Sequence, residues 1–321
     1  MKCRVCRGPA VIDVRRQNAN YCSEHFLRMC RDQVRKAIEQ FDMIRPGERV
    51  LVAVSGGKDS LAVWDLLREL GYDADGLYIG LGIGGEEGYS GESGAFARAF
   101  AEERGLVLHE VDLPRDYGFD VASAAKAVKR VPCSACGLSK RRLFDKAALD
   151  GGYDVLVTGH NLDDEAAVLF GNVLRWQMEY LARQLPVLPA GDGFPRKAKP
   201  LVRLTERDMA AYCVLRGIDY QVEECPMAAG NRHLGYKAAL NDIELASPGS
   251  KHDFYFGFLD RASALLRAGR PGGEAGDDHE EGESLRCERC GAPTPTAVCA
   301  FCRLVERAGG APTPVQIGPK P

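Results

Sequence analysis

The sequence predicts an α/β protein: a doubly wound parallel sheet flanked by two small zinc-binding modules. Three observations carry this expectation. Val50 to Val54 is a run of apolar, mostly β-branched residues, the composition of a strand buried on both faces. Further short apolar runs at Gly76 to Ile83, Leu106 to Val111 and Val155 to Thr158 alternate with stretches of helical periodicity, the order of a parallel sheet. Cysteine pairs with two residues between them stand near both ends of the 321-residue chain.

Composition agrees: 45% hydrophobic and 27% charged residues suit a globular protein. No apolar run approaches about 18 residues and no apolar segment follows Met1-Lys2-Cys3-Arg4, so neither a membrane span nor a signal peptide is expected, and the expected location is the cytoplasm. In that reducing compartment twelve cysteines argue for metal or redox chemistry rather than structural disulfides. The formal net charge of −3 is unevenly spread. Arg270 to Ser284 holds six acidic residues against one basic, whereas Met1 to Arg49 holds eleven basic against six acidic, and Lys126 to Lys146 seven against one. The two basic segments permit RNA binding, and equally suit solvated helix faces.

Taken in order, Cys3-Arg-Val-Cys6 and Cys22-Ser-Glu-His25 supply three thiolates and an imidazole for a closed, tetrahedral, structural zinc; an oxidation-sensitive dithiol is the other reading. Phe26 to Phe41 reads as a helix with a basic face, broken by Ile44-Arg45-Pro46-Gly47. The Val50 to Val54 strand then runs into Ser55-Gly56-Gly57-Lys58-Asp59-Ser60 and a helix that ends at Gly71. Two glycines let backbone N–H groups and the helix N-terminus converge on an anion, and Lys58 adds a point charge for phosphate. The spacing is neither that of a Walker A loop nor of a dinucleotide-binding fingerprint.

A glycine-rich loop, Gly80 to Gly88, follows the second strand at the carboxyl edge where such sheets bind ligands. Cys133-Ser-Ala-Cys136 precedes a helix carrying Lys140, Arg141 and Arg142, a setting for a reactive dithiol or a metal site. After the fourth strand comes Gly159-His160-Asn161-Leu162-Asp163-Asp164-Glu165, in which Asp163 or Asp164 either caps a helix or faces the phosphate site. A helix over Arg203 to Arg216 and a short strand over Asp219 to Val222 lead to Glu224-Cys225-Pro226, so that Cys133, Cys136 and Cys225 could meet at one sheet edge. Leu234 to Asp242 and Phe254 to Leu266 read as helices covering the sheet. A Gly-rich acidic linker then delivers Cys287, Cys290, Cys299 and Cys302, a four-thiolate zinc set. The expected units are 1–30, 31–267, a linker 268–286, a second finger 287–305 and a disordered tail 306–321.

The ordered set of a Cys-Cys-Cys-His finger, SGGKDS, a central Cys-x-x-Cys, GHNLDDEA, Glu-Cys-Pro and a four-Cys finger resembles the TtuA/TtcA family of PP-loop tRNA 2-thiolation enzymes, most of all its TtuA branch, which thiolates ribothymidine in the T-loop. The resemblance spans all but the linker and tail. It implies a HUP-like PP-loop ATP pyrophosphatase fold and an ATP- and Mg²⁺-dependent sulfurtransferase. By the same resemblance Ala53, Val54, Ser55, Gly56, Gly57, Lys58, Asp59, Ser60, Ile79 and Gly159 would hold the nucleotide, with Lys140 and Asp164 facing ATP and the target base. Cys133, Cys136 and Cys225 would hold a 4Fe-4S cluster with one iron open, beside two Zn²⁺ sites. Implied partners are tRNA, a TtuB-like ubiquitin-related donor bearing a carboxyl-terminal thiocarboxylate, and a second copy of the chain. Three other readings stay open: the same chemistry on a wobble uridine or an anticodon-loop cytidine, sulfur transfer by persulfides without a cluster, and a non-catalytic zinc RNA-binding protein with a regulatory nucleotide site.

Overall fold

A computed structural model of the chain describes residues 1–85, 87–191, 193–228, 232–268 and 285–311. Most of the expected linker and the end of the expected tail lie outside the described residues. The first finger is a hairpin of β1 (Ile12–Val14) and β2 (Ala19–Tyr21) leading into α1 (Ser23–Gln40). The central unit runs β3 (Val50–Val54), α2 (Lys58–Glu69), β4 (Ala74–Gly80), α3 (Tyr89–Arg104), β5 (Leu108–Asp112), α4 (Leu113–Tyr117), α5 (Val121–Ala127), α6 (Pro132–Asp150), β6 (Val155–Thr158), α7 (Leu162–Leu174) and α8 (Met178–Ala182). It continues through β7 (Val187–Leu188), β8 (Arg196–Ala198), α9 (Glu206–Arg216), α10 (Arg232–Ala246), α11 (Ser250–Arg261) and α12 (Ser263–Ala268); the second finger ends in α13 (Ala300–Arg307).

The sheet has the order β5-β4-β3-β6-β8-β7 and is parallel except for β7. Alternate residues of β3 explain its apolar run. Val50, Val52 and Val54 pack into one core layer, with Trp64, Phe100 and α1, while Leu51 packs into the other, with Leu143 and Phe301. The strand order reverses between β4 and β6 on either side of β3, so the turn after β3 opens into the crevice where open sheets bind ligands.

One expected element is absent: Asp219 to Val222 forms no strand. Gln221 instead donates its backbone N–H to the Gly56 carbonyl, at 2.9 Å, so the segment is tied to the glycine turn. The place beside β6 is taken by β8, a three-residue strand with two basic residues and no apolar alternation to signal it. The helix expected from Arg203 begins at Glu206, because Thr205 caps it by accepting the Asp208 N–H at 3.2 Å. Residues 306–310 continue the second finger rather than leaving it: α13 runs to Arg307 and the Gly310 N–H bonds the Val305 carbonyl. No described helix is long and apolar enough to cross a membrane.

Candidate nucleotide and sulfur site

The turn after β3 depends on glycine. Gly56 has φ +77°, and a Cβ there would lie 2.1 Å from the Ser93 carbonyl oxygen in α3. Ser60, in the first turn of α2, accepts the Ser55 N–H at 3.1 Å and donates to the Gly57 carbonyl at 2.9 Å, fixing the loop from inside. Across the crevice Gly159 brings the backbone after β6 close to Asp59 and Ser60; a Cβ would come within 2.9 Å of both.

These strand ends enclose a cavity of about 320 Å³. Of the residues expected to hold nucleotide, Ala53, Val54, Ser55, Asp59, Ser60, Ile79, Lys140 and Gly159 line it. Gly56 and Gly57 shape its rim. Lys58 points elsewhere, its Nζ 2.7 Å from Glu206 of α9 and 3.2 Å from Asp59. Asp164 completes a capping box, accepting the Asn161 N–H at 3.0 Å, and its other oxygen lies 2.6 Å from Lys237 of α10. Asn161 also donates to Asp59 at 3.0 Å. Burial pushes the Asp59 carboxyl up, Lys58 pulls it back, and Asp164 pushes it up again.

Helix α6 joins this cavity to the central cysteines. Lys140 and Phe144 face the cavity, and Cys136 and Cys133 lie one and two turns nearer the helix start on the same face. The Cys133 thiol contacts the Met227 carbonyl at 3.5 Å, which brings α6 against the segment carrying Cys225. Burial raises the Cys136 thiol, Lys140 lowers it, and the neighbouring Cys225 and Cys133 raise it further. Among the described residues, the sets of Cys, His and carboxylate ligand atoms lying within 4.8 Å of one another are the two fingers, so the three central thiols are neighbours without closing on a single-ion geometry. A cubane holds its cysteine sulfurs further apart than one tetrahedral ion does, and an all-thiolate set suits iron and sulfide, so these residues fit a 4Fe-4S cluster.

Each finger brings four ligand atoms within 4.8 Å of one another, a set that one tetrahedral ion would fit. In the first, the Cys6 and Cys22 sulfurs are 3.9 Å apart and Cys22 is 3.0 Å from His25 Nδ1. In the second, Cys290 and Cys299 are 3.7 Å apart. Burial would raise Cys3 and Cys287, but backbone N–H donors within each knuckle outweigh it and bring both thiols down to about 6, toward the thiolate zinc needs.

Sequence reasoning missed Asn161, Glu206, Gln221 and Lys237. Asn161 had a readable signal, since Asn is a favoured N-cap ahead of an acidic first turn. Glu206, Gln221 and Lys237 reach the site only through tertiary packing, which no local pattern announces.

Residues 2–27 match the family model of the N-terminal LIM domain of the 2-thiouridine synthetase TtuA. The chain is 50% identical over 304 residues to a tRNA-5-methyluridine(54) 2-sulfurtransferase of Thermus thermophilus, covering 95% of this chain and 91% of that protein. It is 39% identical to the protein of the same name from Pyrococcus horikoshii, covering 95% and 93%. Among solved structures, the U34-tRNA thiolase NcsA of Methanococcus maripaludis, with its 4Fe-4S cluster, matches at a TM-score of 0.75 and 26% identity over 95% of this chain and 96% of that one.

Proposed function

The chain belongs to the family of tRNA-5-methyluridine 2-sulfurtransferases, and on that premise we propose that it uses ATP to replace the C2 oxygen of T-loop ribothymidine with sulfur. The observation that carries this reading is the shared wall: one helix, α6, presents Lys140 to the cavity behind the glycine turn and Cys136 and Cys133 to the segment of Cys225.

A uracil-type C2 carbonyl is a poor electrophile because oxygen leaves badly. Attack of that oxygen on the α-phosphorus of ATP expels pyrophosphate and converts the oxygen into part of an adenylate. Sulfur then adds at C2 and AMP departs with the original oxygen. In this chain the Ser55 to Ser60 turn and Lys140 would cradle the phosphates and, with Mg²⁺, offset charge on the leaving groups. Asp164, one oxygen of which accepts the Asn161 N–H while the other lies 2.6 Å from Lys237, would orient the base. Cys133, Cys136 and Cys225 would hold a 4Fe-4S cluster, which would supply an iron able to bind the incoming sulfur. Zn²⁺ in each finger is structural, since all four ligands come from the protein.

The proposal extends to a cytoplasmic enzyme that acts as a homodimer and takes its sulfur from a ubiquitin-like protein thiocarboxylate. Its proposed domain scheme is 1–30, 31–267, 268–286, 287–305 and 306–321, with α1 continuous across the first boundary and the second finger carried past the last one to residue 310.

Nucleoside mass spectrometry of total tRNA from a strain lacking the gene, beside its parent, tests the reading. Loss of 2-thioribothymidine alone is expected. Loss of a wobble thiouridine would move the substrate to the anticodon, and an unchanged profile would overturn the enzyme reading in a strain without a second thiolase.

A further inference from the structure

Within the first basic segment the arginines of α1 are paired, Arg28 and Arg35 flanking Asp32 and Arg31 meeting Glu69, while Lys36 and the scattered Arg4, Arg7 and Arg15 of the first finger are exposed without a carboxylate partner among the described residues. Along the α5–α6 segment, Lys126, Lys129, Arg130 and Arg141 are exposed and have no carboxylate partner among the described residues. The second finger packs on this same segment and adds to it. Arg142 donates to the Cys290 carbonyl at 3.3 Å, and Phe301 meets Tyr117 edge-on at 5.5 Å. This docking puts Arg303 and Arg307 of α13 opposite Arg130 across a groove of about 90 Å³ floored by Val128, Ala135 and Leu138. Arg303 is held by Thr296 and the Val298 carbonyl, so its charge is fixed in place, and Arg307 has no carboxylate partner among the described residues. Ser134, Ala135 and Leu138 line the groove from the side of α6 turned away from Cys133, Cys136 and Lys140, so the groove and the proposed sulfur site lie on opposite faces of one helix, about one helix width apart.

We propose that this rim, formed jointly by the α5–α6 segment and α13, is the surface that grips the tRNA phosphate backbone next to the nucleoside being thiolated. The inference rests on the tRNA reading above and adds where the RNA lies. A polyanion is the occupant the chemistry favours: protein interfaces deplete lysine and keep charge out of their centres, whereas nucleic-acid contacts concentrate exposed, unpaired cations. The second zinc then acts as a clamp that holds two of the arginines in register with α6.

The test is tRNA binding by anaerobically purified, metal-replete full-length protein across a KCl series. R130Q/R307Q is expected to weaken binding about tenfold at moderate salt and to reduce the slope of log Kd against log salt by about 1.5, since each phosphate contact contributes roughly 0.7 to 0.9. K126Q/K129Q, at the end of α5 and on the turn after it, is expected to act likewise, and zinc content checks that both variants fold. R28Q/R35Q, which removes charges already paired on α1, is expected to match the wild type. Wild-type affinity and slope in both α5–α6 variants would overturn the proposal. So would normal tRNA binding with sulfur transfer lost from a protein thiocarboxylate but kept with inorganic sulfide, since the rim would then belong to the donor. A wild-type protein without tRNA affinity would instead overturn the tRNA reading beneath it.

Discussion

At the scale of single residues, Lys58 is where the sequence and the structure differ most usefully. Its place after two glycines suggests a phosphate ligand, yet its ammonium is held by Glu206 at 2.7 Å and by Asp59 at 3.2 Å, outside the cavity lining. ATP must draw Lys58 away from Glu206 or bind in spite of a carboxylate beside the loop. Glu206→Gln is therefore expected to lower the KM for ATP about threefold to tenfold, the effect of roughly 1 kcal/mol, in an assay of AMP release. Unchanged KM would mean that Lys58 does not reach the nucleotide. Stability should move the other way. Burial pushes the Glu206 carboxyl up, but the Lys58 hydrogen bond and the Lys237 charge outweigh it and hold it below its ordinary 4.5. A depressed folded pKa gives stabilisation that is complete above the unfolded value and lost as pH falls through the folded one. With Glu206 41% exposed, solvent screening limits the loss in the variant at pH 7 to under about 1 kcal/mol. Melting curves should show the gap to wild type closing below pH 4.5, where Glu206 itself becomes protonated.

At the scale of elements, the two fingers are the same knuckle used twice. Cys3 and Cys287 each donate a backbone N–H at 2.8 Å to the residue five positions on, and Lys2 pairs with Pro9 as Arg286 does with Pro293. The left-handed position is filled by Gly291 in one and by Arg7, at φ +62°, in the other. Their surroundings differ, and so should the effect of losing zinc. The first finger feeds α1, whose Phe26, Cys30 and Val34 are fully buried in the main core, so Cys22→Ser is expected to lower stability by several kcal/mol and to reduce protein yield. The second contacts the body through α13, α5 and α6 and adds Phe301, Leu304 and Val305 to the other core layer, so Cys299→Ser should lower the main melting transition, but by less than Cys22→Ser does. Metal analysis should find one zinc per chain in each variant and two in the parent; equal destabilisation by both would sink the distinction. The elements differ, too, in how far sequence reveals them. β3 and β6 were legible to the residue, because a strand buried on both faces is uniformly apolar. β7 and β8 were not, being two and three residues long, β8 with two basic side chains, and Asp219 to Val222 looked like a strand while serving as a tether.

At the scale of the whole molecule, the site is assembled from segments that lie far apart in sequence but converge on α6 and the turn after β3. In the proposed nucleotide half, Ala53, Val54, Ser55, Asp59 and Ser60 come from one contiguous strand-turn-helix, the kind of pattern a sequence shows directly, whereas Ile79, Lys140 and Gly159, which line the same cavity, were expected only from the family resemblance. The ion pairs that brace it, Lys58 to Glu206 and Lys237 to Asp164, join residues far apart in sequence and leave no local trace. The cysteine half lies between these extremes: its motifs are visible in sequence, but their meeting depends on Gln221 fastening the Cys225 segment to Gly56 and on Met227 reaching Cys133. That division makes the two halves separable. Cys133 is exposed at the start of α6 and does not line the cavity behind the glycine turn, so its loss should leave that cavity intact. Cys133→Ala, purified without oxygen, is expected to lose the visible absorbance and acid-labile sulfide of an iron-sulfur cluster and to fall in thiolation by about two orders of magnitude or more. ATP affinity should stay within about twofold of the wild type, because no cavity-lining group changes. A variant that thiolates at the wild-type rate would overturn the cluster, and a wild type that is active without iron would assign the same cysteines to persulfide chemistry.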